Sequence, residues 1–259
     1  MNSMWRTVIV AVALPAVSSV AVAQSRDPAG SQEGDRRARY AKLGELPDWS
    51  GVWSPDWLVN SQNRQLAPEY TKEGAALVEA YKQGQERGEN LQVEQANCVP
   101  PGLPRIMTQP YPIEFVFTPG AVYLLVEIYS QVRRIYTDGR SLPDDPDPYF
   151  NGHSIGHWEG QALIVETNGI NPRNELVPGI HATEQTRIHE KIWEEAPGKL
   201  TIETTISDPT FFAKPFVTRA ALARETDWEM REYICAENNK DAADPFGRPS
   251  MSLEEGDQE

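Results

Sequence analysis

The chain has 259 residues, 38 of them acidic and 24 basic, for a formal charge of -14; 39% are hydrophobic, 9% aromatic, 21 are proline and 2 are cysteine. Such acidity repels a phosphate backbone, and no extended basic patch interrupts it, which argues against nucleic acid as a partner. Two cysteines are too few for a disulfide-dense miniprotein or a four-cysteine zinc site, while the length suffices for a full hydrophobic core.

In chain order, residues 1–23 come first. One early positive charge, Arg6, precedes an apolar run from Thr7 to Val22, which closes on Ala21-Val22-Ala23. This reads as a secretory signal peptide cleaved before Gln24. Neither a lipoprotein cysteine nor a twin-arginine pair is present, and no other segment approaches the roughly 20 apolar residues that span a bilayer. The expected location is the periplasm or the secreted fraction, without membrane attachment after cleavage. Residues 24–46, with Arg36, Arg37 and Arg39, read as a flexible lead-in to a single β-rich domain over 47–235. Trp49, Trp53 and Trp57 open that domain, carrying too much aromatic area to leave wet. Pro68 to Arg87 then reads as one amphipathic helix, with Tyr70, Leu77 and Tyr81 at helical spacing, Gly88 as the stop, and Gly74 and Gly84 weakening it.

Beyond Pro110 the period becomes two. Ile113–Thr118, the turn Pro119-Gly120, Ala121–Tyr129 and Gln131–Thr137 are followed by an acidic loop at 144–148. Further strands are expected over 162–167, 184–193, 200–207, 214–224 and 228–235. Consecutive short strands without interleaved helices predict a mainly β fold, an antiparallel meander closed into a lipocalin-like barrel or folded into a sandwich. The tail 236–259, with seven acids against two bases, reads as disordered. In an exported chain Cys98 and Cys235 are expected to pair; two free thiols are the alternative.

All four histidines fall between 153 and 189. His153 and His157 form an H-x-x-x-H pair, which clasps a metal on a helix. Glycines at 152, 156 and 160 argue against a helix there, and on a strand the two stand about 13 Å apart. A metal site joining His153 to His181 or His189 and a carboxylate remains open beside the expectation of no metal and no cofactor, since no nucleotide or phosphate fingerprint occurs. Gly152-His153-Ser154-Ile155-Gly156 matches the nucleophile-elbow pattern, but no helix is expected after it and no histidine follows Asp208, so the glycines read as a bend. Asp144, Asp145 and Asp147 lack the glycine and distal glutamate of a calcium loop and read as a solvated turn. The tryptophans read as packing, with a stacking box as the alternative.

Glu127 interrupts a run that is apolar on both faces, so its carboxylate needs a partner. One reading is a structural pair with Arg133 or Arg134, or an exposed edge. The other is a barrel interior where Glu127, Arg134, Tyr136, His153 and His181 converge on one small ligand.

Cys98-Val99-Pro100-Pro101-Gly102-Leu103-Pro104-Arg105-Ile106-Met107, Pro110-Tyr111-Pro112, Asp138-Gly139-Arg140 and Gly152-His153-Ser154-Ile155-Gly156-His157-Trp158-Glu159-Gly160 resemble an uncharacterised family of exported bacterial proteins. There the last motif continues Asp-Thr-Leu-Val-Val-Asp-Thr, where this chain has Gln161-Ala162-Leu163-Ile164-Val165-Glu166-Thr167. His157 stands where relatives often carry a basic residue. The resemblance covers roughly residues 48 to 220; it implies export and a shared fold and brings no activity with it.

The sequence therefore predicts a pocket for a small, partly aromatic molecule and cofactor-independent acid–base chemistry of the lyase, isomerase or hydratase type. His153 would be the general acid or base, with Glu127 orienting a partner and His181 assisting; Arg134 or Arg140 would hold an oxyanion or phenolate; Tyr136, Arg140, Ser154 and Trp158 would line the ligand. The alternative is a lipocalin-like carrier without turnover. The oligomeric state is left open.

Overall fold

The computed structural model describes residues 36–56, 60, 68–89, 91 and 98–235. The expectations for residues 1–23, for Trp57, for the tail 236–259 and for most of the lead-in lie outside these residues. The chain divides into units 1–38 and 39–259, and the fold belongs to the second.

Eleven strands are β1 (Val52–Pro55), β2 (Ile113–Thr118), β3 (Ala121–Val126), β4 (Gln131–Tyr136), β5 (His153–Glu159), β6 (Ala162–Asn168), β7 (Glu175–Val177), β8 (Ile180–His181), β9 (Arg187–Ala196), β10 (Lys199–Ser207) and β11 (Phe216–Glu225). Nine of them close into a barrel in the order β1-β11-β10-β9-β6-β5-β4-β3-β2, with β7 and β8 forming a separate hairpin. The barrel alternative therefore holds over the sandwich. Strand β1 completes the wall by pairing with both β2 and β11. All pairings are antiparallel except β4 with β5, which run parallel and share two register positions, Ile135↔Ser154 and Tyr136↔Ile155.

Side chains on a strand alternate between faces, so register assigns the interior. Ile188, Glu190 and Ile192 of β9 pair with Ile206, Thr204 and Ile202 of β10 and with Thr167, Val165 and Leu163 of β6. These positions are buried. The same phase puts Ser154, Gly156 and Trp158 of β5, Arg133 and Ile135 of β4, and Leu124 of β3 inside. Toward the far ends of β5 and β2, Trp158 and Phe117 meet Trp49 at 5.3 and 5.7 Å between ring centroids and each other at 5.4 Å, an aromatic plug. This places Trp158 in packing rather than against a ligand.

Helix α1 spans Lys72–Glu86, starting four residues after Pro68. Thr71 is the cap: its hydroxyl accepts from Gly74 N at 3.1 Å and donates to Thr210 O at 2.7 Å. The inward face is Gly74 and Gly84, buried, with Val78 and Tyr81, half-buried, while Leu77 is exposed. The two glycines that weaken the helix are thus its contact surface: a Cβ on Gly74 would lie 2.3 Å from Phe211 O.

Two expected strands change. The apolar run after Ala121 ends as a strand at Val126, because Tyr129 (φ 57°) and Ser130 (φ 48°) turn the chain through left-handed conformations. Residues 228–235 form a strap over that turn instead of a strand, with Arg231 N donating to Glu127 Oε2 at 2.8 Å and Ser130 Oγ donating to Tyr233 O at 3.2 Å. Tyr233 packs 5.6 Å from Tyr111 and 5.3 Å from Tyr129. The Cys98–Cys235 disulfide, with Cα atoms 5.7 Å apart, closes the strap.

Candidate functional site

Across the barrel interior Arg133 of β4 meets Glu190 of β9, both side chains 0% exposed. Nη1 donates to Oε1 at 3.0 Å and Nη2 to Oε2; Nη2 also reaches Ser154 Oγ at 3.4 Å and Thr167 Oγ1 at 3.3 Å. The two hydroxyls are 2.7 Å apart. Arg133 Nε is buried and lacks a hydrogen-bond partner. Low permittivity makes such a pair strong once formed and its separation expensive.

Glu190 is the register partner of Thr204, and Thr204 borders a cavity of about 390 Å³ at that end of the barrel. Ile206, Phe216, Thr218 and Ala220 continue its wall, and Leu176 and Val177 of the β7–β8 hairpin cover it. At the mouth Arg105 pairs with Glu175, whose other oxygen accepts from Gly179 N at 2.9 Å. Tyr81 of α1 completes the rim; burial first, then the Glu175 carboxylate, push its phenol above the ordinary value. Asn174 holds the hairpin in place, its amide donating to Leu103 O at 2.9 Å and Phe150 O at 2.6 Å. Size and apolar lining suit a small organic ligand.

A second concavity, about 570 Å³, opens on the outer surface where β4 and β5 part beyond their two shared positions. Arg134, Tyr136, Tyr149, Asn151, His153 and Ser154 line it. His153 Nε2 lies 2.8 Å from Asp147 O, so that nitrogen carries the proton, and its ring stacks on Tyr149 at 4.5 Å and 28°. Arg134 donates to Tyr136 Oη at 3.1 Å and lies 5.0 Å from the Tyr123 ring, and the Arg140 guanidinium sits 3.6 Å over Tyr136. The Arg134 hydrogen bond holds the Tyr136 phenol below its ordinary value. Gly152 is required by conformation and space: its φ is +60°, and a Cβ would come within 2.6 Å of Thr167 Cγ2. The literal G-x-S-x-G pattern thus belongs to strand entry and packing, and Ser154 faces Arg133 rather than a histidine.

The expected interior convergence of Glu127, Arg134, Tyr136, His153 and His181 is replaced by a different arrangement. Arg134 is one residue out of phase with Ile135, so it faces outward and Arg133 faces in. Glu127 caps the strap. His181 sits on the hairpin with Nδ1 3.3 Å from Arg173 O, and His157 lies on the outer face 3.2 Å from Glu159 Oε1. His189 is exposed on β9. Arg140 is held by Asp138 through three contacts of 2.6–3.0 Å. Among the described residues no three His, Cys, Asp or Glu side chains group as metal ligands. Glu190 was missed in sequence although its signal was present, since it lies between Ile188 and Ile192 in strict period two.

Fold and cavity together define a closed β-barrel with a ligand-sized hollow at one end. No family model matches the sequence, and no curated protein matches it. Among solved structures the chain is similar to apo lipid binding protein 8 of Caenorhabditis elegans, with 10% identity and a TM-score of 0.35, covering 70% of this chain and 99% of that one.

Proposed function

We propose that the protein is a small-molecule carrier, exported to an oxidising compartment, that holds a largely apolar ligand in the barrel-end cavity and releases it unchanged. The observation that carries this reading is the cavity itself: about 390 Å³, walled by Ile206, Phe216, Ala220, Leu176 and Val177. None of its lining residues is a histidine. The acid–base reading asks His153, Glu127 and His181 to reach one ligand, and they occupy the outer groove, the turn between β3 and β4 beneath the strap, and the hairpin respectively. The disulfide supports the compartment, since such bridges persist where thiols are not kept reduced.

Titration with the neutral fluorophore N-phenyl-1-naphthylamine tests this. One molecule is expected to bind per chain, with blue-shifted emission. Ala220→Leu and, independently, Ile206→Trp fill the hollow and should each weaken binding at least tenfold, about 1.4 kcal/mol, with His153→Ala leaving it unchanged. Unaltered binding in both cavity variants, with melting preserved, would refute the site. Recovery of a chemically altered natural ligand would restore the enzyme reading.

A further inference from the structure

The outer groove shares no lining residue with the barrel-end cavity. Its composition also departs from that of the chain: 38 acidic residues outnumber 24 basic ones overall, yet among the described residues no Asp or Glu lines it and a guanidinium does. Arg134 is engaged by tyrosines, through the Tyr136 hydroxyl and the Tyr123 and Tyr136 ring faces, and makes no ion pair with a carboxylate among the described residues. A guanidinium in that setting keeps donors for a planar anion.

The groove also offers flat faces. Tyr149 is 54% exposed, although one side of its ring is stacked on His153. Phe150 and Pro148 also line it, as does Val132, 54% exposed, on the part of β4 without a register partner on β5. Rings with one free face favour an aromatic guest at low conformational cost. Because His153 Nε2–H donates to Asp147 O, the ring nitrogen left for a guest is Nδ1.

We propose that the β4/β5 groove is a second binding site, taking a small planar aromatic carboxylate with its charge on Arg134 and its ring against Tyr149. The site stands apart from the cavity and does not depend on the carrier reading.

Calorimetric titration of the full chain with 4-hydroxybenzoate, and with the uncharged 4-hydroxybenzamide, tests it. One equivalent of the carboxylate should bind, at least tenfold more tightly than the amide. Arg134→Gln and His153→Ala should each weaken the carboxylate at least tenfold; His157→Ala, whose imidazole faces Glu159, should stay within threefold. Arg134 and His157 are exposed, so their variants should melt as wild type does; His153 is half-buried, so its binding loss is read at a temperature well below its own melting midpoint. Ala220→Leu should leave the carboxylate unaffected, and Arg134→Gln should leave the naphthylamine unaffected. Absence of carboxylate binding, equal affinity for the amide, indifference to Arg134→Gln, or loss on cavity filling would each overturn the proposal.

Discussion

Replacing one member of the buried ion pair, as Arg133→Met or Glu190→Gln, is expected to reduce the unfolding free energy by about 3–5 kcal/mol. The surviving partner stays in a region with 0% exposure, where its desolvation is no longer offset. In Arg133→Met the hydroxyls of Ser154 and Thr167 also lose a donor. The double variant Arg133→Met/Glu190→Leu should recover most of the loss, because apolar groups of similar volume remove both charges together. Urea denaturation of the four proteins closes a double-mutant cycle, and the two positions share a network, so strong coupling is expected. Single variants within about 1 kcal/mol of wild type would mean that the pair is hydrated in solution and that the interior is wetter than the geometry indicates.

Loss of the Cys98–Cys235 bridge should have an effect of similar size. It joins residues 137 apart in sequence, for which the chain-entropy relation gives an upper figure of about 4–5 kcal/mol. Cys98→Ser/Cys235→Ser should therefore lower the urea midpoint markedly and raise the slope, because the unbridged denatured chain exposes more surface. The strap carrying Tyr233 and Arg231 should become more susceptible to proteolysis, while the barrel register stays intact. Equal proteolysis of both forms would show that the tyrosine cluster and the Glu127 contact hold the strap unaided.

The barrel was legible because most strands bury one face. In β10, Leu200, Ile202, Thr204 and Ile206 face in at every second position, so period two identifies both strand and interior. Around β4 the same rule gives two answers. Val132 is in phase with Arg134, and Arg133 with Ile135, so each face offers one aliphatic residue and one arginine. Register with Leu124 and Ser154 decides, and register is a tertiary fact. That one-residue ambiguity moved Arg134 from the expected interior to the surface. Helix α1 shows the converse: propensity counts Gly74 and Gly84 as defects, whereas close packing, on Phe211 at Gly74 and on Leu91 and Glu89 at Gly84, selects them. The groove gathers Arg134, Tyr136 and His153, positions named in sequence, on the opposite side of the wall from the one expected, while the Ser154 hydroxyl turns inward to Arg133. The parallel β4–β5 seam that opens it has no signature in either strand alone.

Strand β1 carries a kinetic consequence. Its four residues complete the wall by pairing Val52 with Glu225 on one side and with Glu114 on the other. The hydrogen bonds that seal the barrel therefore join the earliest strand to the last one, and the long intervening loop must be closed before any of that energy is gained. A ribosome-bound chain that still lacks β11 cannot seal. High contact order keeps such a chain open until synthesis passes Glu225, which exposes the edges of β1 and β10, the two partners of β11, to aggregation in the interval.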